Sequence, residues 1–233
     1  MRRCAVLDDY QGVALTAADW SPVWDVVEVD VFREHIDDED ALVAALHEHE
    51  IVVIMRERTP FPRAVLERLP NLRLLVTTGM RNASVDVAAA AERGVVVCGT
   101  GSLVTPTVEL TWALILGLVR AVTPENTGLR TGAGPWQRTV GTDLAGSVLG
   151  VVGLGRIGSQ VAQIGRAFGM DVVAWSQNLT TEAAEAGGVR LAGSKGELLA
   201  AADVVTIHLV LSDAHVASSA LTTWSGCGRT RTW

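Results

Sequence analysis

The sequence predicts an α/β fold built on a doubly wound parallel sheet, and three observations predict it. Short, continuous, apolar runs alternate with helical stretches. Those runs lack the in–out alternation of a sheet with one wet face, as expected of parallel strands covered on both sides. A glycine-rich turn joins one of them directly to a helix. The 233 residues are 48% hydrophobic and 19% charged, enough for a buried core and outside the disordered range. The length admits one large domain or two small ones.

In the first hundred residues the expected strands are Cys4–Leu7, Val26–Val31, Ile51–Met55, Leu74–Val76 and Val95–Cys98. Helices are expected over Asp38–Glu48, Pro62–Leu69 and Val85–Arg93. Thr105-Pro106 then reads as an N-cap followed by proline in the first turn, with Glu109 near the positive end of the dipole. The helix that follows, to about Ala121, is apolar nearly all round, which predicts burial, against a neighbouring domain or subunit if not its own core. A loop rich in Gly, Thr and Pro is expected over Thr123–Gly141. A second α/β pattern follows: strand Val148–Val152, helix Ile157–Phe168, strand Val172–Trp175, a helical or irregular stretch, and strand Val204–Ile207. No repeat of fixed period and no low-complexity tract is found.

Composition excludes several function classes. With 26 acids against 19 bases and a net charge of -7, the chain has no Lys/Arg cluster with which to neutralise phosphates, so no nucleic acid is expected as partner. The longest strongly apolar stretch, Leu110–Val119, is too short to cross a bilayer, so no membrane is expected either. After Met-Arg-Arg the run Cys4–Leu7 ends in Asp8-Asp9, unlike a signal peptide. Cysteines at 4, 98 and 227 have no metal-ligand spacing and no disulfide framework, so no metal is expected and the compartment read is the cytoplasm.

Gly153-Leu154-Gly155-Arg156-Ile157-Gly158 follows an apolar strand and opens a helix with Ile157, Val161, Ile164 and Phe168 on one face. In that context a GxGxxG has a mechanism, that of a Rossmann-type dinucleotide turn. Gly153 permits the tight turn, Gly155 lets the backbone approach a pyrophosphate, and Gly158 lets the helix close on the strand. The helix N-terminus offers unpaired N–H groups and a positive dipole to the phosphates. About 20 residues on, where an NAD site carries Asp or Glu for the ribose, stand Ser176, Gln177 and Asn178. These can hydrogen-bond a ribose but offer no charge to repel a 2′-phosphate, and no Arg or Lys follows closely to attract one. NAD is favoured slightly, and NADP stays open.

Four other features are weighed; three are set aside and one stays open. Gly99-Thr100-Gly101 also follows a strand but lacks the third glycine, and reads as a flexible connection between domains. His47-Glu48-His49-Glu50 has i, i+2 spacing, which splays the rings apart, and reads as a solvated face. Cys98, on an apolar strand, reads as core. His208 is read two ways, as a satisfied structural histidine or as a pocket wall beside a cofactor.

With these residues in place, the chain resembles the D-isomer-specific 2-hydroxyacid dehydrogenases. The resemblance is carried by Thr77–Val97, Thr105–Arg120, Thr139–Gly158 and Ala201–Asp213, in that order. It implies a flavodoxin-like N-terminal substrate domain (its N-terminal part, residues 1–101) and an incomplete Rossmann-type doubly wound sheet for NAD(P) over 102–213. It implies that Gly79, Met80, Arg81 and Asn82 hold a substrate carboxylate, mainly through backbone N–H groups. Val108 would flank the nicotinamide, Arg156 and Ile157 would sit over the pyrophosphate, Ser176 at the adenosine ribose, and Leu209 and Val210 along the cofactor, with Leu154 also in the cofactor site. The implied activity is reduction of a 2-keto acid to a D-2-hydroxy acid, and the implied assembly is a homodimer through the nucleotide domain.

The departures are as informative. The resemblance implies an Arg, and a His paired with a Glu, in motifs of the type Asn-x-x-Arg-Gly, Glu-Pro and Pro-His-x-Gly, and none of these is present. His215, Arg229 and Arg231 have the wrong neighbours, so no catalytic residue is assigned. Residues 214–233 contain no Asp or Glu and no sustained periodicity, and read better as an out-of-frame stretch than as a natural tail. The sequence pattern counts three strands of the second sheet by Ile207, leaving the edge of its first strand, Val148–Val152, without the fourth, and a tendency to non-native association is expected. The rival readings are a non-catalytic NAD(P)-binding or sensing module, an inactive fragment, and a different Rossmann enzyme.

Overall fold

The computed structural model describes residues 1–209, so Val210 and the expected aberrant tail at 214–233 lie outside the described residues. The chain divides into two compact units, Met1–Ser102 and a second that begins at Leu103. The first unit holds β1 (Arg2–Val6), β2 (Val27–Val31), α1 (Glu39–Leu46), β3 (Ile51–Ile54), α2 (Arg63–Glu67), β4 (Leu74–Thr77), α3 (Val87–Glu92) and β5 (Val96–Gly99). Its five strands are all parallel, in the order β2-β1-β3-β4-β5, the flavodoxin-like arrangement. Ala5, Val52, Ile54 and Leu75 on the strands meet Leu46, Phe61, Leu66 and Ala89 in one core. Asp38 and Asp86 cap α1 and α3, accepting from the Ala41 and Ala89 N–H groups at 2.8 Å each.

The second unit holds α4 (Thr105–Val119), α5 (Val122–Thr131), β6 (Val148–Val152), α6 (Arg156–Ala167), β7 (Asp171–Trp175), α7 (Thr181–Ala186), β8 (Arg190–Leu191), α8 (Lys195–Ala201) and β9 (Val204–Ile207). Its parallel sheet has the order β8-β7-β6-β9. Both faces are covered: Leu149 and Val151 share a core with Val108, Trp112 and Val161, while Val152 and Val173 share one with Leu198 and Leu199. This is the doubly wound arrangement that the continuous apolar strands call for.

Several expectations are corrected here. Val204–Ile207 is the fourth strand of the 3-2-1-4 order, and the third is the two-residue β8, too short to announce itself by hydrophobic periodicity. β6 is therefore paired on both sides, and the bare central edge expected from the strand count does not exist. The loop expected over Thr123–Gly141 is helical to Thr131. Pro124 falls in the first turn of α5, where a missing N–H costs nothing, and left-handed Gly132 ends the helix, so the composition that reads as a loop is also that of a capped helix. Thr105 lies inside α4, and Val104, which supplies no side-chain cap, precedes it. α4 buries Val108, Trp112 and Ile115 but leaves Leu110, Leu114 and Leu118 exposed. Cys98 is exposed, because β5 is an edge strand. His49 is buried rather than solvated: its Nε2 sits 2.9 Å from the Asp30 carboxylate, while His47 and Glu48 face water. Among the described residues no single helix is long and apolar enough to cross a membrane, and α4 and α5 meet at a 66° bend.

Candidate functional site

The glycine turn lies between β6 and α6, at the carboxyl edge of the second sheet. Gly153 has φ +100°, and a Cβ there would stand 2.8 Å from the His208 carbonyl oxygen. It is glycine both for its left-handed backbone and for the close approach of the chain leaving β9. At Gly158 a Cβ would run into the Gly153 carbonyl oxygen and press on Val151 Cγ1 at 3.2 Å, so only a bare α-carbon lets α6 close on its strand. Gly155 is different. Its φ of -86° and ψ of -159° suit other residues, and a Cβ there would meet no protein atom within 4 Å. Neither the turn nor the packing accounts for that glycine. The bare α-carbon leaves the backbone at this helix start open to close approach, the property a pyrophosphate cradle demands.

α6 has no side-chain cap, and its first helical carbonyl partner is Gly155, which accepts from the Ser159 N–H at 2.9 Å. The Arg156, Ile157 and Gly158 N–H groups thus have no intrahelical acceptor and project from the positive end of a 12-residue helix. Leu154 and Ile157 pack on the core, and Arg156 is exposed. Ser176 follows β7 at once, half-buried beside the turn, since the Gly153 N–H donates to the Trp175 carbonyl at 2.8 Å. On the other side the His208 N–H donates to the Val152 carbonyl at 2.8 Å, and Leu209 Cδ2 would lie 3.0 Å from a Cβ at 153. Ser176 and Leu209 therefore flank the glycine turn from the two neighbouring strands. His208 sits 2.8 Å from the Thr206 hydroxyl, and burial pushes its pKa below the usual 6.5, so the ring is neutral at physiological pH. Val108 is buried in the core beside β6, and Val210 lies outside the described residues.

The loop Gly79–Asn82 follows β4 at the carboxyl edge of the first sheet. Gly79 has φ +96°, and its N–H donates to the Thr100 hydroxyl at 3.0 Å. Asn82 is occupied inside the unit: its Nδ2 donates to the Arg56 carbonyl at 2.5 Å and the Thr77 hydroxyl at 3.0 Å, while its Oδ1 accepts from Ser84 N–H and Oγ. Met80 and Arg81 are exposed. Among the described residues the backbone N–H groups of Met80, Arg81 and Asn82 form no hydrogen bond, three successive unpaired donors of the kind that cradle an anion.

Three supports of this loop escape sequence reasoning. Arg56 lies with Nη1 2.8 Å from where a Gly79 Cβ would be, bringing a guanidinium onto the loop. Thr100 takes the Gly79 N–H. Gly99, read from sequence as part of a flexible connection, ends β5, and a Cβ there would stand 2.7 Å from the Gly79 carbonyl oxygen and 2.8 Å from Met80 Cα. The second glycine-rich segment is thus the floor of the loop, a role visible only once β4 and β5 are paired. No group of His, Cys, Asp and Glu among the described residues could hold a metal ion.

Comparisons with known proteins agree with this geometry. Residues 112–217 match the family model for the NAD binding domain of D-isomer specific 2-hydroxyacid dehydrogenases. D-3-phosphoglycerate dehydrogenase of Methanocaldococcus jannaschii is 35% identical over 162 residues, 69% of this chain and 31% of that protein. Glyoxylate reductase of Aeropyrum pernix is 37% identical over 158 residues, 64% of this chain and 47% of that protein. These matches span between about a third and a half of the length of those relatives. The crystal structure of a phosphoglycerate oxidoreductase from Vibrio cholerae superimposes with a TM-score of 0.83 at 36% identity, covering 92% of this chain and 68% of that one. With two parallel sheets in the right strand orders and a dinucleotide-type turn on the second, the chain belongs to the D-isomer-specific 2-hydroxyacid dehydrogenase family.

Proposed function

We propose that the chain provides the nucleotide-binding turn and the carboxylate loop of an oxidoreductase interconverting 2-keto and D-2-hydroxy acids, with residues 1–101 on the substrate side and 102–213 on the nucleotide side. The observation that carries this reading is Gly155, a glycine with no internal reason to be one, placed where the N–H groups of Arg156, Ile157 and Gly158 face outward. Those amides bind the pyrophosphate, Ser176 takes the adenosine ribose, and Leu154, Val108, Leu209 and Val210 line the cofactor's path. The preference is NAD, on Ser176 and the exposed Gln177 and Asn178, with no cation following them to hold a 2′-phosphate. The bound nicotinamide supplies the hydride. The unpaired amides of Met80, Arg81 and Asn82 hold the substrate carboxylate, with Arg56 and Arg81 adding positive charge. The exposed face of α4, Leu110, Leu114 and Leu118, supports a homodimer.

What these residues do not supply is a proton. The Arg, Glu and His that the resemblance implies have no counterpart motif in the 233 residues, and His208 is neutral and engaged with Thr206. A positioned general acid contributes about 10²–10⁴-fold, so the 233-residue polypeptide by itself binds the cofactor and turns over slowly or not at all. The test is fluorescence titration with NADH and NADPH, beside Gly155→Val. The expected result is NADH binding by the parent chain and a loss of at least about tenfold in the variant, with thermal stability unchanged within about 0.5 kcal/mol. Equal binding by the variant overturns the pyrophosphate cradle. Turnover of glyoxylate, hydroxypyruvate or pyruvate that disappears in His208→Ala overturns the absence of an acid.

A further inference from the structure

Two non-glycine residues of the first unit are left-handed at the ends of neighbouring strands: Asp8 (φ 59°), two residues beyond β1, and Arg56 (φ 51°), two beyond β3. Between β1 and β3 the strand order of this sheet reverses, the place where open α/β sheets take their ligands. Side chains other than glycine avoid that conformation, and it persists only where surrounding contacts hold it. At Asp8 the contacts are explicit. Its carboxylate, 1% exposed, accepts from the Thr59 hydroxyl at 2.7 Å and the Tyr10 phenol at 3.2 Å, and lies 2.9 Å from His35 Nδ1. Its carbonyl accepts from Arg58 Nη1 at 3.0 Å, and the Arg58 guanidinium covers the Tyr10 ring at 4.5 Å.

One buried carboxylate thus clasps the turn Arg56–Thr59 to the end of β1. The other side of the same turn holds the carboxylate loop. The Arg56 N–H donates to the Thr78 hydroxyl at 3.1 Å, its carbonyl accepts from Asn82 at 2.5 Å, and its guanidinium lies over Gly79. We infer that Asp8, acting through Thr59 and the Arg56–Thr59 turn, is a positioning residue for the Gly79–Asn82 loop, setting the shape in which that loop presents its amides to a substrate carboxylate. The inference rests on the substrate-loop reading above. A buried carboxylate needs full satisfaction by donors, and here one of those donors, Thr59, belongs to the turn that contacts the loop. Tyr10 and His35 brace the clasp, while Thr59 is the link that reaches the turn itself.

The test uses the full chain and oxamate, a keto-acid mimic, titrated calorimetrically with NADH present, and NADH titrated separately. Asp8→Asn keeps the size and tolerates the left-handed backbone but loses the charge. Thr59→Val removes the hydroxyl at equal volume, and Thr59→Ser restores it. The expected result is oxamate affinity weakened about tenfold in Asp8→Asn and Thr59→Val. Thr59→Ser binds oxamate as the parent does, and NADH affinity is unchanged throughout. Hydrogen exchange at residues 79–82 should quicken in the two weakened variants, with the β6–α6 turn unaffected. If Asp8→Asn does not fold, the Thr59 pair decides alone. Oxamate binding by Thr59→Val equal to the parent overturns the inference while leaving the loop reading intact. A parent chain that binds NADH but no oxamate overturns the loop reading and the inference together.

Discussion

The turn after β6 and the loop after β4 occupy equivalent places, each at the carboxyl edge of a parallel sheet, yet they are held in opposite ways. The β6–α6 turn is mostly self-supporting: within six residues, Gly153 makes the left-handed bend, Gly158 closes on the Gly153 carbonyl, and Gly155 is left facing outward. The β4 loop is held from elsewhere. Its shape depends on Gly99 at the end of β5 and Thr100 just beyond it, on Arg56 beyond the end of β3, and on Asn82 reaching back to that same turn. A site coded by consecutive residues can be read as a motif. One held by residues twenty or more positions away becomes visible only when strands are paired.

The sharpest way to break the self-supporting turn is Gly158→Val. The added side chain meets backbone, which cannot rotate away, so α6 must back off β6 and open the core around Val151 and Val161. Overpacking of this kind costs about 3 kcal/mol. The second unit should unfold at markedly lower urea while the first keeps its own transition, both followed residue by residue through hydrogen exchange, since tryptophans occur in each unit (Trp20 and Trp24 in the first, Trp112 and Trp175 in the second). A variant whose second unit melts like the parent would show that the helix has more room than the contact implies.

The same contrast governs what was legible in the sequence. The first strand order rests on short apolar runs that periodicity finds, as do β6, β7 and β9 of the second, with β6 and β9 at their expected limits. What escaped detection is short or long-range. β8 has two residues, α5 hides behind a loop-like composition, and His49 is buried only because Asp30 of β2 lies across from it. The residues Gly79–Asn82 were singled out by resemblance. That the Asn82 side chain is bonded to the turn after β3, and that Arg56 and Asp8 stand behind it, depends on contacts across 26 to 51 sequence positions.

Breaking the remotely held loop calls for Gly79→Ala. Its φ of +96° is strained for any L-residue, and the new methyl would press on the Arg56 guanidinium at 2.8 Å. The guanidinium is the end of a flexible side chain and can yield, so the backbone dominates and the cost is about 1–2 kcal/mol. The expectation is a lower midpoint for the first unit alone, with NADH titration unchanged. A loss of NADH binding in this variant would erase the distinction drawn between the two sites.

The smallest effect is a pH dependence lodged where β9 meets the glycine turn. Burial lowers the His208 pKa below its usual 6.5, so the unfolded chain takes up a proton there more readily than the folded one. By linkage, unfolding is favoured as pH falls through that value. The contribution is nil well above 6.5, grows as the pH drops, and levels off once the folded-state ring is itself protonated. The His208 carbonyl oxygen lies 2.8 Å from where a Gly153 Cβ would be, so a charged ring beside Thr206 is expected to disturb the turn as well. Replacing His208 by Gln keeps a partner for the Thr206 hydroxyl and removes the titration. Urea midpoints from about pH 8 to about pH 5 should fall more steeply for the parent than for His208→Gln, and NADH affinity should weaken over the same range only in the parent. Parallel curves for the two chains would mean that the ring is as well hydrated folded as unfolded, and that the glycine turn is insulated from its neighbour at the end of β9.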